Sequence, residues 1–392
     1  MATYDLDRTE LNHLLTPNID PGARAAVVDY LLSNGAFDDD DDNHHNDHDR
    51  DDRFSGHGRD HDDHGHHNSD PTVKVEISDG TQPLDPHATV LDLTSPVNIV
   101  NTDAALKVIV ENTSHNADLT IHGSHDVMIA MGDGSNHVFL QDSGNDLVLG
   151  GSGRDLIVGG DGHDSLYGGS GNDTLIAGTG SDQLLQGGSG QDYLVGGSGS
   201  HDWLFGGSGS DYLQAGSGND QMLVAGSGHD TLIGGSGSYD TLVGGSGSDY
   251  MQAGSGSHQL LMGGDGSDTL YGGDGSYDTL LGGNGNDVMY AGNGAHQLLV
   301  GSSGADTLWA GTGGDTLLGG NGNDTFHIGN HGNDTVDGGS GHNTIDFDNH
   351  ASTDISSLHT SGGETTIHFT DGQSVTVSHV DKLVFTNTTE HI

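Results

Sequence analysis

Gly168-Gly-Ser-Gly-Asn-Asp-Thr-Leu-Ile176 decides the fold, because its pattern of nine positions returns about two dozen times between Ala130 and Phe347. Gly150-Gly-Ser-Gly-Arg-Asp-Leu-Ile-Val158 and Gly282-Gly-Asn-Gly-Asn-Asp-Val-Met-Tyr290 are two further copies. The period is too short for a helical repeat. Each unit holds one tight glycine turn, one carboxylate and a strand of about three residues, whose alternating side chains send a single apolar group inward. Two units therefore make one coil, and the coils stack as a parallel β-solenoid.

The register can be read residue by residue. From Ala177 to Trp309 the units alternate between 10 and 9 residues, so one coil takes 19. The inward positions of the longer half are Leu185, Leu204, Leu223, Leu242, Leu261, Leu280 and Leu299. Those of the shorter half are Leu194, Leu213, Leu232, Met251, Leu270, Met289 and Leu308. The two columns are expected to face each other as a thin Leu/Met core.

The two edges of the stack differ. The nine-residue edge carries an unbroken column: Asp155, Asp173, Asp192, Asp211, Asp230, Asp249, Asp268, Asp287, Asp306 and Asp324. On the ten-residue edge the matching position alternates Gln183, Asp202, Gln221, Asp240, Gln259, Asp278, Gln297. Flanking units of nine carry Asp146 and Asp164 before this stretch, and Asp315 and Asp334 after it. The higher-order period is thus 38, in blocks that begin at Ala177, Ala215, Ala253 and Ala291.

This spacing suits calcium. Ca²⁺ takes six to eight oxygens in a tolerant geometry. Glycine turns can aim successive carbonyls inward at φ values other residues avoid, and one Asp per turn adds charge. An ion held between stacked turns staples two coils. Without a cation, like charges about 4.8 Å apart would repel. Gln offers a carbonyl oxygen but no charge, so the second edge is expected to bind calcium weakly, partly or not at all between Ala177 and Trp309.

The repeat resembles the RTX (repeats-in-toxin) calcium-binding nonapeptide of secreted toxins, proteases and lipases, over a little over half the chain. The resemblance implies a right-handed parallel β-roll with several Ca²⁺ ions. The turn carbonyls and the Asp carboxylates of both columns would be ligands, seventeen carboxylates in all. The ten-residue turns, with His258 and His296 nearby, depart from the family pattern and put the second-edge sites in doubt. RTX proteins typically leave a bacterium by type I secretion machinery with a C-terminal signal. The resemblance therefore also implies export followed by folding on calcium, at the cell surface or in the extracellular space.

Composition agrees. The chain has 392 residues, a formal net charge of −49, 9 Lys+Arg and no Cys. No Lys or Arg falls between Arg154 and Lys382. A surface this acidic does not bind nucleic acid or anionic lipid through charge. Low hydrophobicity with high net charge predicts disorder without metal. Lack of Cys excludes disulfides and thiolate metal sites. No apolar run approaches 18 residues, so no transmembrane segment is expected. Met1 to Glu10 is polar and lacks the layout of a signal peptide.

Outside the array the expectations are coarser. Residues 1–36 read as a small helical segment, with Asp20-Pro21 as its start and an apolar stripe at Ala25, Ala26, Val27, Tyr30, Leu31 and Leu32. Residues 37–70 are a disordered Asp/His tract, either a solvated spacer or a loose sink for Zn²⁺, Cu²⁺ or Ni²⁺. Residues 71–130 read as an irregular solenoid ramp that covers the first coil of the array at 131–347. Residues 348–392 read as a C-terminal β cap and the region of a type I signal, with strands at Thr366–Phe369, Ser374–Val377 and Lys382–Phe385.

One outer face is apolar: Trp203/Phe205, Met222/Val224 and Leu260/Met262 lie along it, and a monomer rarely exposes such a strip. The expected occupant is a second copy of the chain. The leading reading is a non-enzymatic, structural or adhesive calcium-binding protein that self-associates. The alternatives are an ice-binding solenoid, an RTX-tailed enzyme and a transition-metal scavenger acting through the Asp/His tract. The first would want outward Thr ladders on the turns, where only Thr179 and Thr312 occur. The second lacks a His-Glu-x-x-His motif, a Cys nucleophile and a phosphate-loop Lys.

Overall fold

The computed structural model describes residues 2–6, 27, 73–78, 90–93, 97–101, 107–111, 115–329 and 332–391. The described chain is all-β. Strands alternate between two mainly parallel sheets of 19 and 16 strands that form the two walls of one roll. Each strand pairs with the strand one coil away: Leu184–Ser189 aligns on Trp203–Ser208, and Tyr193–Val195 on Tyr212–Gln214. The register is uniform, with Leu185 opposite Leu204 and Leu194 opposite Leu213.

Inward columns of Leu and Met from both walls are fully buried and form one continuous core, from Ile109 through the Leu columns to Phe385. The core is one side chain thick. Each buried Leu contributes roughly 1.5–3 kcal/mol. With one such residue per half coil, the walls alone make a lean fold.

Upstream, Val73–Ser78, Val90–Leu93, Lys107–Glu111 and Val127–Ala130 run in succession on one wall, and Val97–Asn101 and Asp118–Gly123 on the other. Of the small helical segment expected over 1–36, Val27, in its apolar stripe, is helical. Ala2–Leu6 is a strand, paired antiparallel with Val73–Ser78. Apart from Val27, the stretch expected to be helical lies outside the described residues, as does the 37–70 tract.

Downstream, the roll ends in antiparallel structure. Ile355–Ser361 pairs with Glu364–Phe369, which pairs with Ser374–Ser378. Thr389–His391 pairs with Lys382–Phe385. The strands Ile355–Ser361 and Thr389–His391 carry no buried side chain, so the sequence pattern gave no sign of them. Phe347 stacks on Phe385 and meets Phe369 edge-on, at centroid distances of 5.0 and 5.3 Å. These large rings plug the end of a core otherwise filled by Leu. Antiparallel pairing with exposed polar strands covers the open edge of each wall.

Candidate metal sites

The ten carboxylates of the nine-residue edge, Asp155 to Asp324, are each no more than 3% exposed. Every one uses its Oδ1 in the same way. Asp173 Oδ1 accepts the N–H of Asp155 at 2.8 Å, Asp230 Oδ1 that of Asp211 at 2.7 Å, and Asp306 Oδ1 that of Asp287 at 2.9 Å. Each carboxylate thus ties its turn to the turn before it. The other oxygen, Oδ2, is buried and has no hydrogen-bond partner in any of the ten.

A second acceptor converges on that orphan oxygen. A Cβ placed on Gly206 would lie 2.5 Å from Asp211 Oδ2 and 2.7 Å from the carbonyl oxygen of Ala225, one coil on. At Gly244 the same point is 2.5 Å from Asp249 Oδ2 and 2.6 Å from Gly263 O. Two acceptors share one small space with no donor between them, an arrangement that a hard cation resolves. The turn backbone makes this possible, since the glycines at the second and fourth positions of the repeat adopt positive φ, 118° at Gly207 and 137° at Gly209.

Burial raises the pKa of these groups, because it disfavours the charged form. It pushes Asp155 and Asp306 up to about 7, and Asp192, Asp211, Asp249 and Asp268 up to about 6. The sign follows by linkage. A carboxyl whose folded pKa is raised stabilises the fold below the unfolded pKa and loses that contribution as pH rises through the folded value. In chelator, the β-sheet circular dichroism signal should therefore grow as pH is lowered from above 7 towards about 4. In calcium the sign reverses, because protons compete for the same oxygens and the calcium midpoint should rise on acidification. Equal midpoints at both pH values would refute this.

The ten-residue edge places its sequence-predicted residues differently. Asp146, Asp164, Asp202, Asp240, Asp278, Asp315 and Asp334 are buried, and so are Gln183, Gln221, Gln259 and Gln297. Oδ2 of Asp146, Asp202, Asp240, Asp278 and Asp315 lacks a partner, whereas Asp164 Oδ2 accepts the N–H of Gly160 at 2.8 Å. Burial raises Asp202 and Asp240 to about 6 and Asp334 to about 7. The extra residue of each longer turn sits in the left-handed region: Asp182, His201, Asp220, Tyr239, His258, Tyr277 and His296 have φ of 58–67°. Their side chains form an outer ladder in which Tyr239, His258, Tyr277 and His296 stack at 4.9–5.2 Å.

Three further site residues escaped the sequence reading. Asn136 and Asn343 are fully buried at the two ends of the nine-residue Asp column. Asn343 Oδ1 accepts the N–H of Asp324 at 3.0 Å, as the next Asp would. Its Nδ2 donates to His379 O at 3.0 Å. An amide therefore closes the column with its own donor. Asp142, 6% exposed with both oxygens unpartnered, stands beside Asp146. It occupies the second position of Gln141-Asp-Ser-Gly-Asn-Asp146, where the repeat has Gly, and that substitution was the available signal. Burial and the Asp142 charge together push Asp146 up to about 8. Among the described residues, His327, Asp346 and Asp348 also bring ligand atoms within 4.8 Å of one another, on the partly exposed outside of the second wall.

The family model for the RTX calcium-binding nonapeptide repeat matches this chain in eight overlapping or adjoining segments between residues 142 and 348. The chain belongs to the RTX repeat family. The matched segments cover both edges of the roll, including the turns of Gln183 at 167–200, Gln221 at 197–224 and Gln297 at 297–327, while Gln259 falls between two of them. No curated protein matches the chain. RTX repeats bind calcium, and the orphan oxygens of this roll fit that ion in both charge and hardness. A bound Ca²⁺ would supply the positive charge the turns lack. The carboxylates and turn carbonyls of this chain would hold it and join coil to coil.

Proposed function

We propose that this RTX roll is a secreted, non-enzymatic scaffold that folds when it meets calcium outside the cell and then associates with further copies of itself. The observation that carries the calcium half is the row of ten buried, partnerless Oδ2 atoms on one edge. Burying a carboxylate without a partner is costly, and no Lys or Arg lies between Arg154 and Lys382 to offset it. Seventeen edge carboxylates, Asp146 to Asp334, are the candidate ligands. Membership of the RTX repeat family supports export by type I secretion machinery, which fits a chain that stays unfolded until calcium is abundant.

Self-association rests on the outer face of the wider sheet. Trp203 is 51% exposed, and Phe205, Met222, Val224, Leu260 and Met262 lie half-buried in register along the same face. Without ions, the net charge of −49 opposes contact between copies. Calcium removes most of that repulsion, so folding and association should share one trigger. Sedimentation velocity should show species larger than the monomer in calcium, and W203S/M222S/L260S should return them to monomer without loss of circular dichroism signal. A wild-type chain that stays monomeric at high concentration in calcium would remove this part of the proposal. Calcium-dependent folding would be untouched.

A further inference from the structure

On the ten-residue edge, the hydrogen bonds at the Gln positions differ from those at the Asp positions. Gln221 Oε1 accepts the N–H of Gly216 in its own turn at 2.8 Å, and its Nε2 donates to the carbonyl of Gly199 in the preceding turn at 3.1 Å. Gln259 repeats this with Gly254 N–H at 3.2 Å and Gly237 O at 3.0 Å. Gln183 does so with Gly178 N–H at 3.0 Å and Gly162 O at 3.3 Å. Gln297 makes the second contact, to Gly275 O at 3.0 Å.

The backbone follows the same alternation. The turn that carries Gln221 bonds directly to the one before it, Ser217 N–H to Gly197 O at 3.2 Å. The turns of Gln183, Gln259 and Gln297 bond in the same way, through Thr179 to Gly160, Ser255 to Gly235 and Asn293 to Gly273, at 3.1–3.3 Å. Among the described residues, the intervening turns of Asp202, Asp240 and Asp278 show no such bond, and their Oδ2 atoms stand unpartnered.

We propose that the ten-residue edge binds calcium only at alternate turns, because the amides of Gln183, Gln221, Gln259 and Gln297 stand in the cation's place. This rests on the reading of the Asp-bearing edges as calcium sites. The amide nitrogen gives the preceding turn's carbonyl the partner an ion would otherwise supply. Turning the amide over does not convert it into a ligand, since its nitrogen would then face the glycine N–H, donor against donor. Asn343 uses the same device at the end of the other edge, where no further Asp-bearing turn follows. The 38-residue period is thus a pattern of ion and amide: one edge metal-dependent at every coil, the other closed by the chain itself at every second coil.

The test is a count. Native mass spectrometry of the full chain in calcium should give the same number of bound ions for the wild type and for Q221A/Q259A, with the variant melting at a lower temperature. A variant that loses two ions makes Gln a calcium ligand and overturns the proposal. If that variant does not fold, anomalous diffraction from calcium-loaded wild-type crystals decides the matter. Peaks beside Asp202, Asp240 and Asp278 but not beside the four Gln support the alternation, and a peak at any Gln overturns it. A wild-type count of zero overturns both this proposal and the calcium reading beneath it, which separates that failure from the others.

Discussion

In EDTA at neutral pH the roll should come apart, and calcium should restore it in a steep, cooperative transition. Seventeen carboxylates lie buried along two edges. On the nine-residue edge each is held by one N–H and leaves one oxygen without a partner. At neutral pH the ionised form is the one burial disfavours, so the metal-free fold carries an opposing charge at almost every turn. The core that must resist this is a single column of Leu or Met on each wall. Each ion joins two coils, so binding energy becomes folding energy and the coils close together. Circular dichroism against free calcium measures this directly. A β signal and a melting temperature unchanged by chelator would overturn the account. Mg²⁺ offers a comparison, because it demands a stricter octahedron at shorter distances. It should restore the signal poorly at equal concentration.

Gly285→Ala should be among the most damaging single changes in the chain, although it adds only one methyl group. Gly285 has φ of 141°, and an added Cβ would lie 1.3 Å from the carbonyl oxygen of Gly266 in the coil before it. The obstacle is backbone, fixed by Gly266 N–H bonding to Asn284 O at 2.8 Å, so no rotamer change relieves it. The coils must part at that point, and a solenoid transmits such a break only through its nearest neighbours. The expected loss exceeds roughly 3 kcal/mol, beyond the usual range for a point substitution. Gly362→Ala is the control. It shares positive φ, at 65°, but nothing lies within 4 Å of its added methyl. It should cost only about 1 kcal/mol, the ordinary penalty for a left-handed alanine. Thermal melts of both variants in saturating calcium make the comparison. A Gly285→Ala protein that melts with the control would show that the coils are not packed backbone to backbone.

Much of the roll was readable because a solenoid turns three-dimensional neighbours into a fixed sequence interval. Leu194 lies beside Leu213, and Asp192 Oδ1 reaches one coil back to Asp173, because each pair is 19 residues apart. Period, edges and inward columns therefore follow from counting. The N-terminal segment shows the limit of such reading. Ala2–Leu6 has no repeat to fix its partner, and its pairing with Val73–Ser78 bridges a gap that no local pattern encodes. The polar strands of the C-terminal cap escaped for a related reason: they bury nothing, so hydrophobic alternation does not mark them.

The amino-acid sequence alone determined a calcium-type β-roll with one uniform and one alternating edge, since glycine spacing, inward Leu and the Asp column are all local, periodic facts. Only the tertiary structure decided what each edge residue bonds to. It left ten Asp oxygens of the nine-residue edge without a partner, gave most Gln amides a donor on one side and an acceptor on the other, and set Asn136 and Asn343 as end stops. It also turned the extra residue of each longer turn left-handed and outward, where Tyr239, His258, Tyr277 and His296 stack. A hydrogen bond depends on direction as well as neighbourhood, and direction is set by the backbone of the adjacent coil, which no single repeat contains.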